Sequence, residues 1–524
     1  MRFLNLLDTS SYTFFSLLCF SIVACSSSRN SYNGNEVDSK ILKVNPTTIN
    51  ISANATKITL NISADDYYYV KSRNSWVTPV TTSAVKTSTF ELTVAENKGY
   101  LQRIDTINIT MGASNQQVII IQKRRETIAI VPDKSGMEND AMKLVNQIRA
   151  GWNLGNSCES NNGKYFDSNN FSGSETLWGN TTTTKDMITA VKNAGFNAIR
   201  IPVCWGAHLS DVSNWTIDAT WMSRIKAIID YAYSQGMYII LNSHHDGWFE
   251  FDCDAKDSAY VRPREEAMWT QIALTFRDYD EHLILSGMNE PHDQKNNDWN
   301  APSPERAKVQ SIYEQKFINA IRATGGKNTY RCLMIQSWCC NPSYYSFFTM
   351  PTDITSNRLI CEFHYYNPWN FCGIDDSSCV RFWGDDYKQY GNISTYGTAD
   401  MINSDFATLK STFIDKNIPV IMGEFGVNRH TFTSTEITNG LYNKGEESRD
   451  YYLKWLVSTA KSYGIPCFYW DNGALGNNQP TMNVMKSGSD AFALFNRSSN
   501  PAMNIYDPKA VNAIMEGAQT SSPN

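Results

Sequence analysis

Leu283-Ile284-Leu285-Ser286-Gly287-Met288-Asn289-Glu290-Pro291-His292 is the stretch that decides the fold. Its apolar start, closed by Gly287, predicts a strand covered on both faces, as in a parallel sheet, where no polar alternation is needed. Pro291 cannot donate to a ladder and biases Glu290 towards an extended conformation, so a carboxylate is left standing where the strand opens into a loop. In α/β barrels that end of the strands carries the chemistry. Taken alone, Asn-Glu-Pro also fits a helix cap or a solvated acid, so the rest of the chain has to decide.

Working outward from this strand, the same unit recurs. Ala150–Asn153, Asn197–Pro202 and Met237–Asn242 precede it as predicted strands, and Arg331–Gln336, Leu359–Phe363, Pro419–Gly423 and Pro466–Trp470 follow. Between and after them, a helix capped by Thr183 or Thr184 and ended by Gly195, then Trp221–Gln235, Arg264–Tyr279, Glu305–Ala323, Asp405–Ile414, Glu447–Tyr463 and Pro508–Gly517, carry helical periodicity. Eight strands alternating with helices predict a (β/α)8 TIM barrel rather than an open sheet. Asn153, Arg200, His244, Glu290, Trp338, His364, Glu424 and Trp470 stand at successive strand ends, and barrel geometry gathers such positions on one face.

Upstream, Ile41–Lys123 alternates apolar and polar residues, as in Lys57–Ile62, Phe90–Val94 and Thr106–Thr110, which predicts an antiparallel, immunoglobulin-like all-β sandwich. Ser75-Trp76-Val77-Thr78-Pro79, Ala95-Glu96-Asn97 before Arg103, and Val118–Gln122 resemble the BACON domain, a module of exported Bacteroidetes-type carbohydrate enzymes. That resemblance implies either sugar binding or a spacer. Trp76 is the only Trp of the segment, and a lone Trp in a small sandwich is more often core than platform. The expected organisation is multidomain: 1–24 signal peptide, 25–40 flexible tether, 41–123 sandwich, 124–136 linker, 137–519 barrel and 520–524 tail.

The N-terminus predicts export. Tyr12–Ala24 is too short to span a bilayer but fits a signal-peptide core, and Ile22-Val23-Ala24-Cys25 resembles a bacterial lipobox with Cys25 as the lipidated residue. An exported lipoprotein on the outer membrane or cell surface is therefore expected, with a periplasm-facing location open. The net charge of −6 and the absence of a Lys/Arg block argue against nucleic acid as a partner. No CxxC pair exists, so zinc-ribbon and thioredoxin readings fail. Cys204, Cys332, Cys361 and Cys467 fall in apolar strand-like runs as buried thiols, while Cys372 and Cys379 bracket a loop that a disulfide could close. His244-His245-Asp246 lacks helical metal-ligand spacing, so no metal and no cofactor is expected.

Glu290 and Glu424 would face each other across the barrel mouth, and paired carboxylates beside Arg, His and Trp suit glycoside hydrolysis. Arg200 is the natural partner of an ionised Glu424, which would make Glu424 the better-stabilised anion and Glu290 the proton donor. Gly151–Asn156, Ile199–Val203, Leu241–Asp246, Gly287–Pro291, His364–Tyr366 and Gly423–Gly426 resemble the signatures of glycoside hydrolase family five, over roughly Met137 to the C-terminus. The resemblance implies a retaining mechanism with Glu290 as acid/base and Glu424 as nucleophile, their carboxyl groups about 5–5.5 Å apart. Arg200, His244, Asn289, His364, Tyr366 and Trp470 carry over as active-site residues; Asn153 joins them by its place at a strand end. Trp205 and Trp338 are candidates either for sugar platforms or for barrel packing. The opening motif and the loop His364–Phe371 are more similar to the endoglucanase and xyloglucanase branches than to the mannanase branch. An endo-β-1,4-glucanase acting as a monomer on a polysaccharide is the expectation. A β-mannanase, or a surface glycan-binding lipoprotein with a degenerate barrel, are the alternatives.

Overall fold

The computed structural model describes residues 40–81, 83–127, 129–164, 170–246, 253, 255–475, 491–498 and 504–519. The signal peptide with Cys25, most of the tether, Trp248 and the tail lie outside the described residues. Eight strands form the N-terminal sandwich: β1 (Leu42–Asn45), β2 (Thr48–Ile51), β3 (Thr56–Ala64), β4 (Tyr69–Lys71), β5 (Val77–Thr78), β6 (Thr89–Val94), β7 (Arg103–Met111) and β8 (Ser114–Gln122). They make two four-stranded sheets, ordered β1-β3-β6-β5 and β2-β8-β7-β4. Alternation buries Ile58, Leu60 and Ile62 of β3 against Ile107 and Ile109 of β7 in one core. One pairing departs from the antiparallel expectation, because β2 runs parallel to β8.

The residues that carry the BACON resemblance have structural work. The Arg103 guanidinium lies 4.3 Å from the centre of the Trp76 ring and donates from Nε to Gln122 at 2.8 Å and from Nη2 to the Ala95 carbonyl at 2.8 Å. Trp76 also packs against the sandwich core. Asn97 is buried and bridges the carbonyls of Leu101 and Lys123. Leu101 crosses into the hydrophobic cluster of the barrel, Arg124 pairs with Glu266 at 2.6 Å, and Ile130 exchanges backbone hydrogen bonds with Thr324 and Gly326. The linker is thus laid along the barrel.

The barrel closes through eight parallel strands: β9 (Gly151–Leu154), β10 (Ala198–Ile201), β11 (Tyr238–Asn242), β12 (Leu283–Ser286), β13 (Leu333–Gln336), β14 (Leu359–Tyr365), β15 (Val420–Phe425) and β16 (Cys467–Asp471). Every predicted strand is present, shifted by a residue or two at its ends; β14 and β15 each run two residues further than expected. Helices α1 (Lys185–Asn193), α2 (Ala219–Tyr233), α3 (Ala255–Thr275), α4 (Pro304–Arg322), α5 (Ala399–Thr412), α6 (Leu441–Ser462) and α7 (Pro508–Ala518) surround it. Thr184 caps α1 by accepting from the Met187 N–H, and Asp218 caps α2 from the Thr220 and Trp221 N–H groups. Helix α3 begins nine residues before the expected Arg264 and runs through Pro263. Burial of Val261, Ala267, Met268, Trp269 and Ile272 outweighs the roughly 3 kcal/mol that an interior proline costs.

Inside the barrel, Ala198, Ile240, Ile284, Met334, Ile360, Ile421 and Phe468 form an apolar floor, closed from below by Ala141, Leu144, Val145 and Ile148. Gly151 is small because Phe468 fills the space that its side chain would take. One pleat higher, two residues along each strand, the inward side chains turn polar. That change of layer is where the site begins.

Candidate active site

Asn153, Arg200, Ser286, Gln336 and Glu362 occupy the polar layer, and all are buried. A buried charge is tolerated only when paired and hydrogen-bonded, and this layer satisfies that requirement around Arg200. The guanidinium lies 3.0 Å from Glu362 through Nε and 2.9 Å from Glu424 through Nη1. It also donates to Asn153 Oδ1 at 3.0 Å and to Asn289 Oδ1 at 2.7 Å. Glu362 Oε2 accepts from Ser286 at 3.0 Å and from Gln336 at 2.6 Å. Asn153 hangs from three backbone carbonyls, of Gly423, Phe468 and Tyr469.

Above this layer stand Glu290, His364 and Glu424. His364 Nδ1 lies 2.7 Å from Glu290 Oε1 and 3.6 Å from Glu424 Oε2, and its Nε2 lies 3.3 Å from Glu362. The nearest oxygens of Glu290 and Glu424 are within 4.8 Å of each other. Tyr366 donates to Glu424 Oε2 at 3.0 Å. The ladder between β14 and β15 slips here: Phe363 pairs with Met422 and His364 with Glu424, leaving Gly423 as the extra residue of a bulge. Only glycine fits there, since a Cβ would fall inside the Glu362 carboxylate. The bulge sets Glu424 beside His364 while Glu362 stays one layer below.

Burial pushes the Glu424 carboxyl above the ordinary carboxylate range against the pull of His364 and Arg200, and the charges of Glu290 and Glu362 add to the rise. Burial acts the same way on Glu290, but the hydrogen bond and charge of His364 bring it below that range. Burial works against a charged His364, yet Cys340 first, then Glu424 and the hydrogen bond to Glu290, hold its proton well above the usual imidazole range. The expectation that Arg200 makes Glu424 the better-stabilised anion is corrected for the resting site, because the guanidinium divides its charge between Glu362 and Glu424. Glu290 and His364 are best described as one unit holding one proton across a 2.7 Å hydrogen bond.

This geometry coincides with a family match: residues 159–476 fit the model of cellulase, glycosyl hydrolase family 5, and residues 66–123 fit the BACON model. The chain belongs to glycosyl hydrolase family 5. It is 33% identical over 475 residues to a xyloglucan-specific endo-β-1,4-glucanase of Bacteroides ovatus, with 87% of this chain and 90% of that protein covered. A solved Bacteroides ovatus family 5 xyloglucanase bound to a heptasaccharide superposes with a TM-score of 0.65 at 29% identity, over 91% of this chain and all of that one. A family 5 lichenase from Caldicellulosiruptor, bound to cellotetraose, gives 0.61 at 29% identity, over 75% of this chain and 99% of that one.

As a family 5 glycoside hydrolase, the chain brings most of the predicted site residues together. His244 stacks on Trp470, ring centres 5.7 Å apart and 13° from parallel. Burial, with His245 and Arg200 behind it, drives its proton off well below the usual range, so His244 is a neutral imidazole. Trp470 keeps part of its surface open at the mouth. Four further candidates are buried. Trp205 is wholly buried and spends its indole N–H on the Asn242 carbonyl at 3.0 Å, so it packs the barrel wall and offers no face. Asn153 and Arg200 are likewise wholly buried; Arg200 reaches the site through Glu424 and Asn289, and Asn153 accepts from Arg200. Trp338 packs with Cys253, Cys339 and Tyr344, its N–H bound to the Asn300 carbonyl. Cys372 and Cys379 are both free thiols, so no disulfide closes their loop. Cys204, Cys332, Cys361 and Cys467 are buried as expected. Sequence reasoning missed Glu362, the second carboxylate under Arg200, and Cys340, whose thiol donates to the Asn289 carbonyl at 2.8 Å.

Proposed function

We propose that this chain is a retaining endo-β-1,4-glucanase that cuts plant cell-wall β-glucans, xyloglucan foremost among them, by double displacement. The observation that carries the reading is the pair of carboxylates, with oxygens within 4.8 Å and one imidazole between them. Inverting enzymes need about 6.5–9.5 Å to seat a water, whereas retaining ones need about 5–5.5 Å. Glu424 attacks the anomeric carbon, and Glu290 protonates the leaving oxygen and then deprotonates water. Arg200 fixes the Asn289 amide by taking its oxygen, which turns the amide nitrogen into a donor for the sugar 2-hydroxyl. Trp470 lies under the ring. Trp299, 45% exposed, stacks on His292, and Trp369, 51% exposed, stands edge-on to Tyr366; in this reading they are the outer platforms for the chain. Exposed aromatic rings near both carboxylates suit an internal cut in a long chain.

A panel of xyloglucan, mixed-linkage glucan, carboxymethyl cellulose and mannan tests the substrate. Xyloglucan should give the highest kcat/KM, with oligosaccharide products and an early fall in viscosity. Mannan as the best substrate, or release of single sugars alone, would refute the reading.

We also propose that the enzyme is a lipoprotein held at the outer membrane through Cys25, with the sandwich as a stand and the Ser/Asn-rich tract as its tether. Acyl chains on one Cys anchor a protein stably only when more than one is present. Fractionated cells should hold the wild type in the membrane and release Cys25→Ala into the soluble fraction. Equal partitioning of the two would sink the anchor.

A further inference from the structure

Outside the carboxylate site, the loop following the one-turn helix Trp369–Cys372 meets the segment that follows β15, and there Asp375, Cys379 and His430 bring one oxygen, one sulfur and one nitrogen within 4.8 Å of one another. We propose that these three side chains form a binding site for a borderline divalent metal, zinc being the best fit, which clamps the loop after the Trp369 helix to the segment carrying His430.

The donor set is the first argument. Thiolate, imidazole and carboxylate are the protein ligands zinc takes, at bonds of about 2.0–2.3 Å, so that neighbouring donors of a tetrahedral site lie roughly 3.3–3.7 Å apart. Asp375 Oδ1 and His430 Nδ1 already stand at 3.5 Å. The second argument is preorganisation. The two segments are joined independently of any metal, the Asn428 N–H donating to the Cys372 carbonyl at 2.8 Å and Arg381 reaching the Thr431 carbonyl at 3.2 Å. Asp375 is aimed by Thr431, whose N–H and hydroxyl donate to its two oxygens at 2.9 and 2.5 Å. An outer-shell hydrogen bond of this kind orients a ligating carboxylate. His430 is buried and lies against the Phe371 ring, while Asp375 and Cys379 are half-buried, which leaves the sulfur side as the entry path and the fourth position for water.

On binding, the Cys379 thiol gives its proton to solvent and the thiolate becomes a ligand.

The test uses the full chain, reduced and stripped with a chelator, with Co2+ as the spectroscopic probe. One equivalent should produce a cobalt–thiolate charge-transfer band that zinc then displaces, and zinc should raise the melting midpoint. In Cys379→Ser the band should vanish and zinc affinity fall by more than the roughly 10–100-fold that loss of an outer-shell group costs. Thr431→Val, which keeps all three ligands, should weaken zinc within that 10–100-fold range. No band, a band that survives in Cys379→Ser, or a Cys372–Cys379 disulfide found by mass spectrometry in the oxidised chain would each overturn the site.

Discussion

Glu424→Ala should lose reducing-sugar release from every β-glucan by on the order of 10⁴-fold or more, the scale of removing a covalent nucleophile, while keeping its fold. The second half of that expectation rests on Arg200. Removing one partner of a buried pair ordinarily costs about 3–5 kcal/mol, because a charge is left uncompensated. Here the guanidinium retains Glu362 at 3.0 Å, Asn153 and Asn289, so its charge stays compensated. Burial and the neighbouring carboxylates already made Glu424 costly to ionise, which further lightens the loss. The variant leaves a cavity opposite Glu290 that a small anion can enter. Azide should therefore restore turnover of an activated aryl glycoside and yield a glycosyl azide of α configuration, since a single displacement inverts the anomeric centre. Retained activity without azide, or a β-configured product, would remove Glu424 from the nucleophile's place.

How much of this site could be read from the sequence depended on whether a residue's role was local. Glu290, His364 and Glu424 were legible because each stands at or just past the C-terminal end of a strand, and strand ends of a barrel converge whatever the loops do. Glu362 was hidden by the expectation that its strand ends at Phe363. Had the strand been carried to Tyr365, Glu362 and His364 would have fallen on one face by the period of two, and an acid inside so apolar a run requires a buried cation. The bulge at Gly423 brings its backbone so close to Glu362 across the strands that any Cβ would clash, and no single-strand pattern encodes that. Trp205 and Trp470 look alike as aromatic residues near strand ends; what separates them is that one indole N–H meets a barrel carbonyl and is sealed in, while the other ring stays open beside His244. Helix α3 shows the reverse case, a local rule against interior proline overridden by the apolar surface that the helix buries.

Glu290→Gln should lower kcat/KM on polysaccharide by about 10²–10⁴-fold, the range of general acid catalysis, and should spare glycosylation by substrates whose leaving group needs no proton. The pH dependence follows from the groups that must be charged. Glu424 has to be an anion, so activity rises as pH climbs through its pKa, which burial has raised. This acidic limb therefore lies above the range of an ordinary Glu. At the other end, the Glu290–His364 unit has to keep its one proton, so activity falls as pH rises through the value at which that proton leaves. Its placement within the unit serves both halves of the reaction: Glu290 protonated beside a neutral imidazole is the acid of the first step, and Glu290 ionised beside imidazolium is the base of the second. Cys340, Glu424 and Glu290 around His364 hold its proton well above the ordinary imidazole range, so the basic limb lies beyond that of an isolated His. In Glu290→Gln the carboxylate that shares this proton is gone, and on an activated aryl glycoside the basic limb of kcat/KM should disappear while the acidic limb of Glu424 remains. Persistence of the basic limb in that variant would place the proton donor elsewhere, and loss of the acidic limb instead would exchange the roles of the two glutamates.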